Sequence, residues 1–423
     1  MKRAWIKWLA LLLVLLQVVT FTACQSGGQP PAESTADSTL LTPTGTSESI
    51  GSGTLSGEGE PEPGGTTAPT QPAKREIKNL ILVLGDGLGI EHIAAGEMLR
   101  AKEFAFLDWH YASVNTDSVK SSGRGPVLTD SAAAGTALAT GKLTVNGYVG
   151  KDYTQRDAST ILDLAKKAYG KSTGVVTTDT LFGATPAAFS AHSLSRDNTE
   201  EIVTSQLASE VDLLCGSINT NCTSRQGDIA AAGYAYCQEY AKLGETMNAK
   251  KAYWQLDLYG TEATVELKDA ALCALDFLDQ NENGFVLMIE QAHIDKYSHE
   301  NNFAGMVASV DSLNNTVEAI LSWLGDRDDT AILITADHET GGLSVSLADR
   351  YSEAYPVKVG KVDTHTIYYK WTTTNHTNAK VGLFVFGAAA DFSKFEYFNS
   401  EHLIKNTDVY ELMADILKYP TDY

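Results

Sequence analysis

The chain has 423 residues, with 32 Lys and Arg against 53 Asp and Glu, which gives a formal net charge of −21. Proteins that bind nucleic acids through their overall field are usually basic, so this charge argues against a nucleic-acid partner. The length and the 43% hydrophobic content are sufficient for a large folded core. Composition changes along the chain, however, and three segments of different character follow one another.

The N-terminus has the pattern of a secretory signal. Basic residues within the first seven positions precede an almost wholly apolar run over 9–19, which is too short to span a ~30 Å hydrocarbon core comfortably. Phe21-Thr22-Ala23-Cys24 then resembles the lipobox of bacterial lipoproteins, in which a small residue precedes a lipidated Cys. We therefore predict that residues 1–23 are removed and that Cys24 carries a lipid anchor. The alternative is an ordinary cleaved signal with an incidental Cys.

Residues 24–76 are rich in Ser, Thr, Gly, Pro and Glu and contain seven of the eleven prolines. Such a segment cannot bury enough apolar surface to offset the entropy of ordering, so we predict a disordered tether. The folded part is then expected at 77–423. Signal, lipid and tether together predict an exported lipoprotein, at the cell surface or in the periplasm, that is anchored to a bacterial membrane.

Five short apolar runs in the remaining sequence each lead into polar residues. Continuous apolar runs indicate strands buried on both faces, as in a mostly parallel sheet covered by helices. The runs lie at 80–84, 174–177, 285–289, 331–334 and 381–386. Helical patterns occur at 159–169, 199–214, 263–279 and 303–324. The alternation of strands with helices predicts an α/β fold.

Three of the five predicted strands deliver a carboxylate at their carboxyl ends, namely Asp86, Glu290 and Asp337. In open α/β sheets, ligands bind beyond the carboxyl ends of the strands. Carboxylates combined with imidazoles suit zinc, whereas oxygen-only ligand sets suit magnesium. We therefore predict a metal site at this rim, although each residue alone fits an ordinary turn.

Imidazoles that could complete such a site occur at three positions. His338 directly follows Asp337. Asp295 and His299 are four residues apart, which places both side chains on one face if the segment is helical. His376, in a polar Thr-Asn-His-Thr segment, is a further candidate ligand from a loop.

A candidate nucleophile and a candidate anion ligand lie elsewhere. Ser131 begins an Ala-rich helical pattern, where the positive potential of a helix N-terminus favours a phosphate. A simple helix cap is the competing interpretation. No His neighbours Ser131, so activating its hydroxyl would require a metal ion. Arg196 could bind phosphate oxygens with two parallel hydrogen bonds, but in isolation it also fits an ordinary surface arginine.

Six segments, in order, resemble the metal-dependent alkaline phosphatases and extend from about Asn79 to Gly387. They are Gly85-Asp86-Gly87-Leu88-Gly89, Thr129-Asp130-Ser131-Ala132-Ala133, Ala184-Thr185-Pro186 through Ser195-Arg196, Ile289-Glu290 through Asp295-Lys296 to His299, Thr335-Ala336-Asp337-His338, and Asn375-His376-Thr377. The resemblance implies a three-layer α/β/α fold around a central mostly parallel sheet. It also implies hydrolysis of small phosphate monoesters and, since the family is often dimeric, a homodimer.

The resemblance assigns two Zn²⁺ and one Mg²⁺ to each subunit. Ser131 would be the nucleophile that forms a phosphoserine intermediate, and Arg196 would bind the phosphate. The implied ligands are Asp295, His299 and His376 for the first zinc, Asp86, Asp337 and His338 for the second, and Asp86, Thr185 and Glu290 for magnesium. Lys296 would contact the phosphate through water.

One position departs from the family pattern. Some relatives have Asp or His two residues before the magnesium Thr, whereas this chain has Gly183. We therefore expect Lys296 to lack its carboxylate partner, with consequences for magnesium occupancy and for phosphate release.

The folded part contains four further cysteines. An even number in an exported protein predicts two disulfides, and pairing Cys215 with Cys222 and Cys237 with Cys273 closes the shortest loops. Free buried thiols are the alternative.

Other functions remain open at this point. A phosphodiester or a sulfate ester could be the substrate, although Asp-Ser-Ala at Ser131 differs from the Cys/Ser-x-Pro-x-Arg signature of sulfatases. A surface solute-binding lipoprotein would share the anchor and the α/β fold, but it would not need the whole set of metal ligands. A phosphatase-like domain without catalysis is disfavoured because the set is intact.

Overall fold

The structure, a computed structural model, describes residues 77–100, 103–347, 353–359, 363–388, 392–395 and 402–418. The predicted signal, the tether and Cys24 lie outside these residues. None of the helices in the described ranges combines the length and the apolarity that crossing a membrane requires.

The strands form one large sheet and three small ones. They are β1 Asn79–Gly85, β2 His110–Asn115, β3 Ser118–Val119, β4 Pro126–Val127, β5 Ser172–Thr177, β6 Leu213–Ser217, β7 Ala235–Cys237, β8 Ala252–Leu256, β9 Phe285–Gln291, β10 Thr330–Thr335, β11 Glu339–Thr340, β12 Ser344–Ser346, β13 Glu353–Val359, β14 Asp363–Lys370, β15 His376–Thr377, β16 Val381–Phe386 and β17 Leu403–Lys405. The large sheet has ten strands in the order β17-β2-β16-β10-β1-β9-β5-β6-β8-β7.

Seven consecutive strands of the large sheet, from β10 to β7, are parallel to one another. Among its ten described strands, β16 alone runs in the opposite direction. Every residue of β1, β9 and β10 is buried, because helices cover both faces of the sheet there. The prediction of an α/β fold with a mostly parallel sheet is therefore confirmed.

The helices pack in two groups. They are α1 Ile90–Arg100, α2 Ser131–Thr140, α3 Ile161–Tyr169, α4 Ala184–Ser190, α5 Thr199–Ala208, α6 Thr220–Thr223, α7 Gln226–Ala231, α8 Leu267–Leu278, α9 His293–His299, α10 Phe303–Leu324 and α11 Asn406–Lys418, with 3₁₀ turns at Tyr240–Glu245 and Phe392–Lys394. Helices α2, α3, α4 and α11 pack together, as do α1, α8, α9 and α10. With the sheet, the two groups give the three-layer architecture.

All five predicted strands are present, and the helix at 303–324 has the predicted bounds. The helix predicted at 159–169 begins at Ile161, because Thr160 caps it and forms a reciprocal capping box with Asp163. The helix predicted over 199–214 is wrong at its end. It stops at Ala208, and 213–217 is strand β6, a fully buried segment that pairs with β5.

The prediction of two disulfides is wrong, because all four cysteines of the folded part are free thiols. Closeness in sequence does not bring the sulfur atoms together here. Cys215 is buried on β6, and the Cys237 thiol donates to the carbonyl of Glu239 at 3.3 Å. Cys273, on α8, is half-buried and lies 3.9 Å from the Tyr240 hydroxyl.

Candidate metal centre and active site

The carboxyl ends of three neighbouring strands bring the predicted acidic residues together. Strand β1 lies between β9 and β10, and Leu84 pairs with both Glu290 and Thr335. Asp86 directly follows β1, and Asp337 lies two residues beyond β10. The sequence positions the three side chains at one edge because parallel strands all end on the same side of a sheet.

Asp295, His299 and His376 form the first cluster, with ligand atoms that all lie within 4.8 Å of one another. The short helix α9 presents Asp295 and His299 on one face, as their spacing predicts. Nδ1 of His299 donates to the carbonyl of Thr374 at 2.6 Å, and Nδ1 of His376 donates to the carbonyl of Thr129 at 2.9 Å.

These two backbone contacts fix the tautomers, since a carbonyl oxygen only accepts. Both Nε2 atoms are then left with lone pairs, and they face each other at 3.2 Å. Two acceptors at this distance do not form a hydrogen bond. Instead, both lone pairs point at one shared position. The Asp295 carboxylate lies 3.3 Å from Nε2 of His299. Imidazole rings that bind one metal ion converge in this way.

The second cluster surrounds the fully buried ring of His338. Its Nε2 lies 3.5 Å from Asp86 Oδ1 and 3.2 Å from Asp337 Oδ2, and its Nδ1 donates to the hydroxyl of Thr340. Asp86, His338 and Asp295 also offer ligand atoms within 4.8 Å of one another. Asp295 therefore lies between the two clusters.

Several buried oxygens of this centre have no protein donor. In the described part of the chain, Asp86 Oδ1, Asp337 Oδ2 and Thr185 Oγ1 are buried without a hydrogen-bond partner. An unpaired buried carboxylate oxygen is costly, and native proteins satisfy such atoms with hydrogen bonds or metal ions. The donor set therefore fits divalent cations.

The carboxylates also destabilise one another's charged forms. Burial, followed by the charges of Asp337 and Asp295, raises the pKa of Asp86 well above its usual range. Burial and the Asp295 charge raise the pKa of Asp337 to about 6. Burial and the Asp179 charge raise the pKa of Glu290 to about 8. The protein alone thus leaves excess negative charge at the centre, which bound cations would neutralise.

Ser131 lies beside the second cluster. It is the first residue of α2, only 4% exposed, and its Oγ is 3.1 Å from Nε2 of His338. Asp130 caps α2 by accepting from the Ala133 amide at 2.9 Å, so the helix begins at Ser131. The helix cap and the candidate nucleophile are therefore neighbouring residues.

Arg196 reaches the same helix N-terminus from a loop beyond α4. Its Nη1 donates to Asp130 Oδ2 at 3.1 Å, and that oxygen also accepts from the Gly147 amide at 3.0 Å. The Arg196 backbone amide donates in turn to the Gly147 carbonyl at 2.8 Å. The Arg196 side chain as a whole remains 37% exposed, so it is accessible to an anion at this end of α2.

The expectation that Lys296 lacks a carboxylate partner is wrong. Its Nζ donates to Asp179 Oδ2 at 2.9 Å. Asp179 follows β5 and was missed, although the rule applied to Asp86, Glu290 and Asp337 would have found it. A side chain at Gly183 would place its Cβ 2.8 Å from the same Asp179 oxygen.

The remaining predicted ligands, Glu290 and Thr185, are both buried. Glu290 is 1% exposed and accepts a short hydrogen bond from the Thr177 hydroxyl. Thr185, in the first turn of α4, is also 1% exposed. Sequence reasoning missed Thr340, whose hydroxyl donates to Asp295 and accepts from His338, because a lone Thr carries no recognisable motif.

This fold and this site define a metal-dependent hydrolase of phosphate esters, and comparison with known proteins agrees. The alkaline phosphatase 4 of Bacillus subtilis is 27% identical over 423 aligned residues, covering 82% of this chain and 90% of the relative. The alkaline phosphatase of Escherichia coli is 28% identical, covering 62% of this chain and 70% of the relative.

A solved structure agrees with these sequence relatives. The cold-active alkaline phosphatase of Shewanella sp. superimposes with a TM-score of 0.69 at 27% identity, covering 81% of this chain and all of that structure. The alkaline phosphatase family model matches residues 77–233 and 251–380. The chain belongs to the alkaline phosphatase family, whose members are metal-dependent and hydrolyse phosphate monoesters.

Proposed function

We propose that this chain hydrolyses phosphate monoesters through a phosphoserine intermediate on Ser131, at a centre of two zinc ions and one magnesium ion. The observation that carries the proposal is the position of Ser131 Oγ, 3.1 Å from His338 Nε2 and at the edge of the unpaired carboxylate cluster. Mixed carboxylate and imidazole ligands suit zinc in both clusters. The oxygen-only group of Asp86, Thr185 and Glu290 suits magnesium.

The side chains have distinct roles in this mechanism. Cations held by the carboxylates and imidazoles of the two clusters would supply positive charge that neutralises the carboxylates and favours the ionised serine hydroxyl. Arg196 binds two phosphate oxygens and orients the ester over the N-terminus of α2. Ser131 Oγ then attacks phosphorus and the alcohol leaves. Water next hydrolyses the phosphoserine, which releases inorganic phosphate and restores Ser131.

The test is hydrolysis of p-nitrophenyl phosphate at alkaline pH, with and without a chelator. We expect the chelator to abolish activity and Ser131→Ala to lower kcat by at least about a thousandfold, because the variant lacks the nucleophile. Ser309→Ala is the matched control, since Ser309 is equally buried and, among the described residues, its hydroxyl bonds the Gly305 carbonyl within its own helix. Chelator-resistant activity, or an active Ser131→Ala variant, would contradict the proposal.

The intermediate and the substrate class need separate measurements. Acid quenching during turnover of ³²P-labelled substrate should trap phosphate on the wild-type chain and none on Ser131→Ala. Bis(p-nitrophenyl) phosphate, a diester, should react far more slowly than the monoester, because Arg196 and the cations match a terminal dianion. A diester that reacts as fast as the monoester would change the substrate class.

We further propose that the protein is an exported lipoprotein tethered by Cys24, as the N-terminal sequence predicts. In bacteria that express the full chain, Cys24→Ala should abolish incorporation of labelled fatty acid and move the enzyme from the membrane fraction to the soluble fraction. Partitioning between the detergent and aqueous phases should change in the same direction. Unchanged labelling in Cys24→Ala would show that Cys24 is not the lipid site.

A homodimer is the remaining proposal, and it rests on the family resemblance alone. Light scattering of the chain without its N-terminal 76 residues would give twice the monomer mass if the proposal holds, and the monomer mass if it fails.

A further inference from the structure

We propose that Asp179 is the positioning carboxylate of this active site: it holds Lys296 in place and supports the magnesium ion, from the space that a side chain at position 183 would otherwise fill. The inference rests on the proposed function, because it concerns residues around the proposed magnesium ligands. It also replaces the sequence-based expectation that Gly183 leaves Lys296 unpartnered.

Asp179 is fixed by its own surroundings. Its backbone amide donates to the Thr177 hydroxyl at 2.8 Å, and Thr177 in turn donates to Glu290. Its Oδ1 accepts from the Thr180 amide at 2.7 Å. With one oxygen held by the turn after β5, the other is directed at Lys296 at 2.9 Å. The carboxylate is therefore placed before any ligand binds.

Lys296 has few other restraints on its long side chain. It directly follows the proposed zinc ligand Asp295, and its side chain is 33% exposed. The Tyr259 ring centroid lies 5.7 Å from the Lys296 ammonium group. Tyr259 itself packs edge-on against His293, with 4.5 Å between the ring centroids. The Asp179 salt bridge is the strong contact among these, since a charge-assisted hydrogen bond exceeds a distant cation–π contact.

The backbone at Gly183 does not itself require glycine. Its φ of −52° and ψ of 152° are open to any residue. A Cβ there would instead lie 2.8 Å from Asp179 Oδ2 and 3.0 Å from the Thr180 carbonyl oxygen. Asp179 and a side chain at 183 therefore compete for one volume. A carboxylate from either position would reach the same place.

Asp179 also acts on the magnesium side of the centre. After burial, its charge is the strongest influence that raises the pKa of Glu290, so the two carboxylates are electrostatic neighbours. A cation at Glu290 would gain attraction from Asp179 without direct coordination. The zinc clusters do not include Asp179.

The first experiment measures the affinity of chelator-treated, zinc-reloaded full-length protein for magnesium, by calorimetry. Asp179→Asn keeps the size of the side chain and removes its charge. We expect magnesium affinity to fall by about threefold to tenfold, as is reasonable for one partly solvated charge, while zinc affinity stays within about twofold. Equal magnesium affinity in variant and wild type would overturn the inference, and so would an equal loss at the zinc sites.

The second experiment moves the carboxylate. Asp179→Ala should lose magnesium affinity as Asp179→Asn does, and the double variant Asp179→Ala/Gly183→Asp should regain it to within about twofold of wild type. In the double variant, the new Cβ at position 183 would still lie 3.0 Å from the Thr180 carbonyl oxygen, and a small local shift would relieve this contact. Gly183→Asp alone should give no gain, because the volume is already filled. A double variant no better than Asp179→Ala would overturn the shared-volume argument.

The third experiment separates the role of Lys296. Asp179→Asn should change the inhibition constant of inorganic phosphate, and this change should disappear in a Lys296→Ala background, because the carboxylate acts on phosphate through the lysine. An undiminished change, or none in either background, would contradict the positioning role. If the wild type binds no magnesium at all, the proposed function fails instead, so the two failures are distinguishable.

Discussion

At the level of single residues, hydrogen bonds within the protein orient each of the candidate metal ligands. The Thr374 and Thr129 carbonyls set the tautomers of His299 and His376, and the Thr340 hydroxyl sets that of His338. The sequence indicated these candidate ligands because their chemistry is visible in the residue type. It could not predict these partners, because backbone carbonyls carry no residue signature.

Replacing Arg196 is expected to weaken the binding of phosphate and of the phosphate ester. Arg196→Ala should raise the inhibition constant of phosphate and the KM of p-nitrophenyl phosphate by about 10- to 100-fold, the loss of one charge-assisted pair of hydrogen bonds. Arg156→Ala is the control, since Arg156 is 78% exposed and bonds Asp152 on the surface. Similar constants for Arg196→Ala and wild type would show that Arg196 does not bind phosphate.

At the level of elements, the active site depends on junctions between segments that are distant in sequence. The central strands were predictable from their apolar runs alone, and so was the edge where their carboxylates meet. The pairing of β6 with β5 was not, since 209–214 continues a helical pattern locally, whereas the strand begins at Leu213 and is buried in the sheet. The position of Asp179 after β5 was predictable by the same rule, but its pairing with Lys296 was not, because the two residues are 117 positions apart in the sequence.

Gly150 links helix α2 to the segment that leads to Arg196, so a substitution at Gly150 tests how rigid this connection is. Its amide donates to Thr136 of α2, its carbonyl accepts from His192, and the adjacent Val149 pairs with Ser193 on the segment that leads to Arg196. Its φ is +60°, and an added Cβ would lie 2.1 Å from the Ala191 carbonyl oxygen.

Gly150→Ala should therefore lower the free energy of unfolding by more than about 2 kcal/mol in urea titrations, since backbone strain and a steric clash add. Gly233→Ala should cost only about 1 kcal/mol, because Gly233 has a similar φ of +87° but open space around it. Equal losses in the two variants would show that the Gly150 junction has no steric constraint.

At the level of the whole molecule, a net charge of −21 does not prevent phosphate binding. The electrostatic potential near Ser131 is set by Arg196 and by the proposed cations, whose positive charge offsets that of the buried carboxylates. Without cations the same carboxylates are a source of instability, and this has a definite dependence on pH.

Glu290 gives the sign of that dependence. Its pKa is about 8 in the fold and near 4.5 in an unfolded chain. The folded state therefore binds the Glu290 proton more tightly than the unfolded state does. The resulting stabilisation of the fold is complete below pH 4.5 and is lost as the pH rises through 8. In chelator-treated protein, the free energy of unfolding should fall by roughly 2–4 kcal/mol between pH 5 and pH 9, through this group.

The control for this prediction is Glu290→Gln, which cannot titrate at this position. Its chelator-treated form should lose less stability over the same pH range in urea unfolding. Adding zinc and magnesium to the wild type should remove most of the loss, because the cations replace the proton. Parallel pH profiles for the two chelator-treated proteins would show that Glu290 does not cause the effect.

The position of β1 also fixes an order of events during biosynthesis. Its two neighbours in the sheet, β9 and β10, are made some 200 and 250 residues after it. His376, the last of the proposed zinc ligands in the sequence, follows later still. No partial chain that stops before β15 contains the residues of both clusters. The proposed metal centre can therefore be completed only after His376 has been made, long after the strand on which it is built.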